Sequence, residues 1–214
     1  MHVQITRLLP DVFRLEIPFE DIYTAVFLLR TDEGDILIDA ATTDRDAEEY
    51  ILPALRSFES AAIPRALLLT HGHGDHAGGA PRLAREFPHM SVFAHEEIKG
   101  LPCHTVADGE LLFGRLRVLH LPGHTRRSVG YLDEKSDSLF SGDCLQLRGV
   151  GRYRNGVGYP DLYLQSIHLL SQLAPTRIFA SHEYDPLGSV AQGSQEVTRY
   201  LEECVASCPR FCKG

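Results

Sequence analysis

The chain has 214 residues, with 21 basic and 29 acidic side chains and a net charge of −8. That length suits one large domain, expected over residues 1–214, and the acidic balance excludes general attraction to nucleic acid, which favours a small-molecule partner. The first ten residues show neither a signal peptide nor an anchor, no later stretch approaches a membrane span, and the five cysteines lack the spacing of a disulfide framework, so a soluble, cytoplasmic protein with reduced thiols is expected.

From Val3 to about Asp39, apolar runs at Val12 to Ile17, Ile22 to Leu29 and Ile36 to Ile38 alternate with turn residues at Pro10-Asp11, Pro18 and Asp32-Glu33-Gly34-Asp35. This pattern predicts an antiparallel meander. Thr43 then caps a helix with Asp46 three residues on, and Ala47, Tyr50, Ile51, Ala54, Leu55 and Phe58 share its apolar face. Pro53 should kink or shorten that helix. A strand at Arg65 to Leu69 follows, and Pro81 opens a second helix through Leu83, Ala84 and Phe87. Further strands are expected at Ser91 to Ala94, Leu111 to Leu121, Ser128 to Leu132 and Ser138 to Ser141. The polar, glycine-punctuated stretch Arg148 to Gly158 reads as a loop, and Pro160 opens a third helix with Tyr163, Ile167, Leu170 and Ala174 on one face. A strand at Arg177 to Ala180 precedes a last helix carrying Val190, Val197, Leu201, Cys204 and Cys208 at helical spacing. Strands mixed with helices at this density predict an α/β layered fold.

The chemistry concentrates directly after the apolar run Ala66-Leu67-Leu68-Leu69, where His71, His73, Asp75 and His76 fall within six residues. Three further candidates each lie just past an apolar strand: His124 after Leu119-His120-Leu121-Pro122-Gly123, Asp143 after Leu139-Phe140-Ser141-Gly142, and His182 after Ile178-Phe179-Ala180-Ser181. Ligands on loops at one edge of a sheet have this placement. Five imidazoles and two carboxylates exceed the needs of one tetrahedral zinc, which implies two metals. Imidazole with carboxylate suits zinc, iron, manganese or cobalt alike. A carboxylate has two oxygens and can bridge adjacent cations, a role open to Asp143 or Asp75.

The run His71-x-His73-x-Asp75-His76 with later His124, Asp143 and His182 resembles the metallo-β-lactamase superfamily, whose five metal motifs occur here in order. The resemblance extends to Ile36-Leu37-Ile38-Asp39, Leu121-Pro122-Gly123-His124-Thr125 and Ser141-Gly142-Asp143, and so covers essentially the whole chain. It implies a four-layered αβ/βα sandwich with the metals in a cleft at the edge of two facing sheets. By the same resemblance His71, His73 and His124 hold one divalent cation, Asp75, His76 and His182 the other, and Asp143 bridges them. Zinc is the first expectation, with iron or manganese as alternatives. A metal-bridging hydroxide would attack a carbonyl or phosphoryl centre, Asp75 could orient it or relay a proton, and Asp39 would support the ligand loops.

Within the superfamily, the Pro-Gly-His-Thr run and the strand start near Ser128-Val129-Gly130 are similar to the thioesterase branch that includes glyoxalase II. Two departures stand against a specific match: Arg126-Arg127 replaces a common Pro-Gly pair, and little chain follows His182 for a glutathione-holding helical domain. The segment Leu147 to Arg152 resembles persulfide dioxygenases, in which His71, His124 and Asp143 would bind a single iron. Retention of His73 disfavours flavodiiron reductases, lactonases remain compatible, and length and charge disfavour the nuclease branches. The expected activity is therefore hydrolysis of a small, in part anionic, ester, thioester or lactone. A mononuclear iron dioxygenase and a noncatalytic metal-binding member are the alternatives.

Arg148, Arg152 and Arg154 could pair with an anionic substrate, although solvated loop charge accounts for them as well. Tyr153, Tyr159 and Cys144 are expected to pack rather than to react, and in Cys204-x3-Cys208-x3-Cys212 the first two cysteines read as an extension of the last helix's apolar stripe, which Pro209 ends, rather than as a metal motif. His2, His89, His95, His104, His120 and His168 are expected to be structural or exposed.

Overall fold

The computed structural model describes residues 3–147, 157–183 and 187–208. The chain divides into two compact units, Met1–Val106 and Ala107–Gly214.

In the N-terminal unit, β1 (Gln4–Leu9), β2 (Val12–Phe19), β3 (Ile22–Leu29) and β4 (Asp35–Ile38) form the expected antiparallel meander. β5 (Pro64–Leu68), β6 (Ser91–Ala94) and β7 (His104–Thr105) extend the sheet in parallel, in the order β1-β2-β3-β4-β5-β6-β7. The parallel pairs β4–β5 and β5–β6 have helical crossovers, whereas β6 and β7 are joined by residues 95–103 without a helix. Between β4 and β5 run α1 (Asp44–Asp46), a π-helical turn (Ala47–Ile51) and α2 (Leu52–Ser57). Between β5 and β6 run α3 (Gly74–Ala77) and α4 (Ala80–Glu86). Thr43 caps α1 as expected, its hydroxyl accepting from the Asp46 N–H. Pro53 does not end the helix: the turn before it widens, with the Leu52 N–H bonding the Ala47 carbonyl, and Pro53 falls in the first turn of α2, where no donor is needed. Ile51, Leu55 and Leu83 pack with Leu15, Leu28, Leu37 and Leu67 in one core. Each such side chain contributes about 1.5–3 kcal/mol relative to an exposed position. Every residue of β4 is buried, which accounts for a continuous apolar run rather than an alternating one.

In the C-terminal unit, β8 (Leu111–Leu112), β9 (Leu116–His120), β10 (Val129–Asp133), β11 (Ser138–Gly142), β12 (Arg177–Ala180) and β13 (Val190–Gln192) lie in the order β13-β12-β11-β10-β9-β8. Among the described residues of this unit only β11 and β12 pair in parallel, and α5 (Pro160–Leu173) lies in the crossover between them. With α6 (Ser194–Ser207), α5 covers a core of Leu121, Leu139, Ile178, Tyr163, Ile167, Leu170, Val197 and Leu201. No helix among the described residues is long and apolar enough to cross a membrane.

Several expectations require correction. Pro18 lies inside β2 opposite Tyr23; the pairing of β1 with β2 has ended at Gln4–Glu16, so the missing Pro18 N–H leaves no gap in a ladder, and the turn falls at Glu20 (φ 51°). The stretch Leu111 to Leu121 is a hairpin, reversed at Phe113 (φ 54°) and Gly114 (φ 62°). Val190 belongs to β13, which Gly193 (φ 85°) separates from α6. Ala174 is the exposed, left-handed cap of α5 rather than part of its buried face. Arg148, Arg152, Tyr153, Arg154, Pro209, Cys212 and His2 lie outside the described residues.

Candidate metal centre

Strand ends position every predicted ligand. Asp39 follows β4, His71 follows β5 by three residues, His124 follows β9, Asp143 follows β11 at once, and His182 follows β12. In α/β folds the loops beyond the carboxyl ends of strands form the binding edge.

In the N-terminal unit, His71, His73, Asp75 and His76 come together around the single turn of α3. The rings of His71 and His76 are 4.2 Å apart and those of His71 and His73 are 4.7 Å apart, centroid to centroid. His71 and His76 are buried, Asp75 is half-buried and His73 is exposed. The fully buried Asp39 organises this group as expected. Its carboxylate accepts from the Thr70 N–H (2.9 Å), from the Thr70 hydroxyl (2.9 and 3.1 Å) and from His76 Nδ1 (2.8 Å). A carboxylate only accepts, so His76 carries its proton on Nδ1 and turns a lone pair outward on Nε2. The Thr70 hydroxyl spends its proton on Asp39 and can only accept from His71 Nδ1 at 3.1 Å, which fixes the same tautomer for His71. Both imidazoles thereby present Nε2 as a ligand atom.

Three supports here escaped the sequence reading. Glu96 accepts from the Gly72 N–H at 2.7 Å and pins the chain between His71 and His73. Gly78 and Gly79 let the segment after β4 cross α3 at backbone contact, since a Cβ at Gly78 would sit 1.7 Å from the Thr42 carbonyl oxygen and one at Gly79 would sit 2.1 Å from that of Ala40. This approach, with the Ala40 N–H donating to the His76 carbonyl at 2.7 Å, brings Asp39 within reach of His76. The pair of glycines two residues after His76 was the available signal.

In the C-terminal unit, Asp143 is the centre. Its Oδ2 lies 3.4 Å from His124 Nε2 and its Oδ1 lies 3.3 Å from His182 Nε2, so each oxygen faces a different imidazole. In the other unit, Asp75 Oδ2 and His76 Nε2 are 3.4 Å apart. These distances exceed the ~2.7–2.9 Å of a charge-assisted hydrogen bond such as His76 to Asp39. Two ligand atoms about 2.0–2.1 Å from one tetrahedral cation stand roughly 3.3–3.4 Å apart, so the donor set and its spacing fit a divalent metal.

The remaining polar candidates have structural work. His95 Nδ1 meets the Val106 carbonyl, His120 Nε2 meets the Arg126 carbonyl, and His104 stacks on Phe93. Tyr159 lies under the Arg126 guanidinium, 4.5 Å from ring centre to carbon. Cys204 is buried in the core, as its stripe predicted, and burial pushes its thiol up to about 12.

Comparison with known proteins agrees with this geometry. The sequence model of the metallo-beta-lactamase superfamily matches residues 20–109. A hydroxyacylglutathione hydrolase from Xylella fastidiosa (strain M23) is 37% identical over 138 residues, which cover 62% of this chain and 52% of that protein. One from Vibrio cholerae is 36% identical over 151 residues, covering 68% and 58%. The chain thus spans about half the length of the curated relatives it matches. The crystal structure of a metallo-β-lactamase from Erythrobacter litoralis superposes with a TM-score of 0.74 at 21% identity, covering 95% of this chain and 96% of that one. The α/β fold of metallo-β-lactamase type expected from the sequence is therefore the one observed, and the chain belongs to the metallo-β-lactamase superfamily.

Proposed function

We propose that the chain is a metal-dependent hydrolase of small acyl thioesters or related esters, its two units working as one metallo-β-lactamase-like domain. The observation that carries this reading is the placement of Asp143, whose two oxygens face His124 and His182 separately at the edge length of a metal tetrahedron. A carboxylate so placed suits two cations at once. On this reading His71, His73 and His124 hold one cation, Asp75, His76 and His182 hold the other, and Asp143 serves both. Two bound divalent cations, zinc by first expectation, would supply a water-derived nucleophile at neutral pH and Lewis-acid stabilisation of the developing oxyanion.

The chain's own groups do the rest. Asp39 and Thr70 hold His76 and His71 in the tautomer that exposes Nε2. The Asp75 carboxylate, half-buried beside His76, is the group placed to orient the attacking water or to take its proton. Similarity to hydroxyacylglutathione hydrolases supports a thioester as the substrate class. A cytoplasmic location accords with the thiols carried by Cys103 and Cys204.

Metal analysis of protein purified without added metal, followed by assays on acyl thioesters, lactones and simple esters, tests the proposal. Two divalent cations per chain with thioester hydrolysis are expected. A single iron per chain with oxygen uptake on a persulfide, or bound metal without turnover on any of these substrates, would overturn it.

A further inference from the structure

The loops carrying His124 and Asp143 are far apart in sequence, and one side chain touches both. Tyr163, on the first turn of α5, is fully buried. Its Cα and Cβ lie against Gly123, where any Cβ would stand 2.6 Å from them, so Gly123 is the only residue type that lets the chain before His124 close onto α5. At the other end of the side chain, the Tyr163 hydroxyl donates to the Gln146 carbonyl (2.9 Å) and accepts from the Gln146 N–H (2.8 Å). The Gln146 amide in turn donates from Nε2 to the Asp143 carbonyl at 3.1 Å. The same stretch of chain grips the first loop twice more: Ser166, three residues on, donates to the Pro122 carbonyl (2.7 Å), and the Tyr159 N–H donates to that of Gly123 (2.8 Å).

We infer that Tyr163 is a positioning residue for the metal centre, holding the His124 loop through its backbone contact with Gly123 and the Asp143 turn through its hydroxyl contacts with Gln146. This role rests on the metal-binding reading above. A hydroxyl satisfied both as donor and as acceptor in a dry core keeps one geometry, because leaving either Gln146 group unpaired would cost about 1–3 kcal/mol. Burial also pushes the ionisation of Tyr163 well above the ordinary tyrosine range, so the hydroxyl remains a neutral donor. Supporting groups of this kind govern metal affinity by about 10–100-fold when removed.

Tyr163→Phe keeps the ring on Gly123 and deletes the hydroxyl. Affinity is read with Zn²⁺ alone by competition against a chromophoric chelator, and ligand geometry by the visible spectrum of the Co²⁺ form. The expected result is at least about tenfold weaker binding of one equivalent and an altered Co²⁺ spectrum, in a metal-free protein that still folds but melts below the parent because both Gln146 backbone groups lose their partner. Tyr200→Phe, a change in the same core that keeps the Tyr163–Gln146 and Gln146–Asp143 bonds, should leave both readouts unchanged. Gln146→Met removes the amide's bond to the Asp143 carbonyl alone and should weaken the same equivalent; it decides the matter if Tyr163→Phe does not fold. Parent-like affinity and spectrum in the folded variants overturn the positioning role while leaving the metal reading intact. A parent protein that binds no divalent metal overturns both.

Discussion

The two units hold ligand atoms by opposite arrangements of polar groups. In the N-terminal unit the ligand candidates crowd one helical turn and a buried charge disciplines them from behind: the Asp39 carboxylate accepts hydrogen bonds from Thr70 and His76 and sets which ring nitrogen faces outward. In the C-terminal unit the charge is itself a ligand candidate, Asp143, and the supports behind it are neutral, namely the Tyr163 hydroxyl, the Gln146 amide and backbone carbonyls. A carboxylate behind an imidazole raises its basicity towards a metal, whereas a second carboxylate behind Asp143 would repel its charge and favour the protonated form, which is a poor ligand. The polarity of each support therefore follows from the type of ligand in front of it.

The harshest way to break this contrast is to remove the carboxylate at the centre of the C-terminal ligand candidates. Asp143→Ala should lower turnover by more than about 10³-fold, the scale on which loss of a group that organises the reacting centre acts. The fold should persist, since Asp143 stands just past the end of β11 and is no member of the apolar core. Near-normal thioesterase activity in the folded variant would refute the central role given to Asp143.

Removing the charge behind the ligands should act more gently and through metal binding. In Asp39→Asn the amide has one oxygen for two demands: if it faces Thr70, the NH₂ group confronts the Nδ1–H of His76, and if it faces His76, the NH₂ group confronts the Thr70 N–H. The first arrangement drives the His76 proton to Nε2 and cancels that ligand atom. Zinc affinity should fall by about 10–100-fold, with part of the activity restored by excess metal. Affinity equal to that of the parent would show that Asp39 does not govern the tautomer.

The ligand candidates could be read from sequence because residue type and place were both informative: each is an imidazole or a carboxylate just past an apolar strand. Asp39 was legible for the same reason, standing directly after Ile36-Leu37-Ile38. What escaped notice depends on distant partners. Glu96 meets Gly72 across 24 residues and Tyr163 meets Gln146 across 17, and nothing in the local pattern of either announces the contact. The misplaced elements have a common cause as well. Apolar continuity suggests a helical Val190 and a single strand over Leu111 to Leu121, and proline chemistry suggests a turn at Pro18, but the boundaries are set by positive-φ residues at Glu20, Gly193, Phe113 and Gly114. Glutamate and phenylalanine carry no turn signal, because for them the left-handed conformation is imposed by the surrounding sheet.

Alkaline pH separates the two units by the smallest effect. In the C-terminal unit Cys204 lies in the same core as Tyr163, and burial pushes its thiol from 9.0 up to about 12. The folded state therefore keeps a proton that the unfolded chain releases. Below about pH 9 both states are protonated and stability is complete; from there towards pH 12 it falls by about 1.4 kcal/mol per pH unit for this one group. Tyr163, raised in the same direction by burial, adds to the loss above its ordinary range. In the N-terminal unit the half-buried Cys103 is also raised by desolvation, opposed by a hydrogen bond to the Ile98 backbone. Urea unfolding between pH 8 and 10.5, followed by hydrogen exchange resolved to each unit, should show protection failing first in β11, α5 and α6. Cys204→Ala should start less stable through the cavity it leaves, yet lose less with rising pH, by roughly 2 kcal/mol at pH 10.5. If the two proteins lose stability in parallel, the neutral core behind Asp143 is not what alkali attacks.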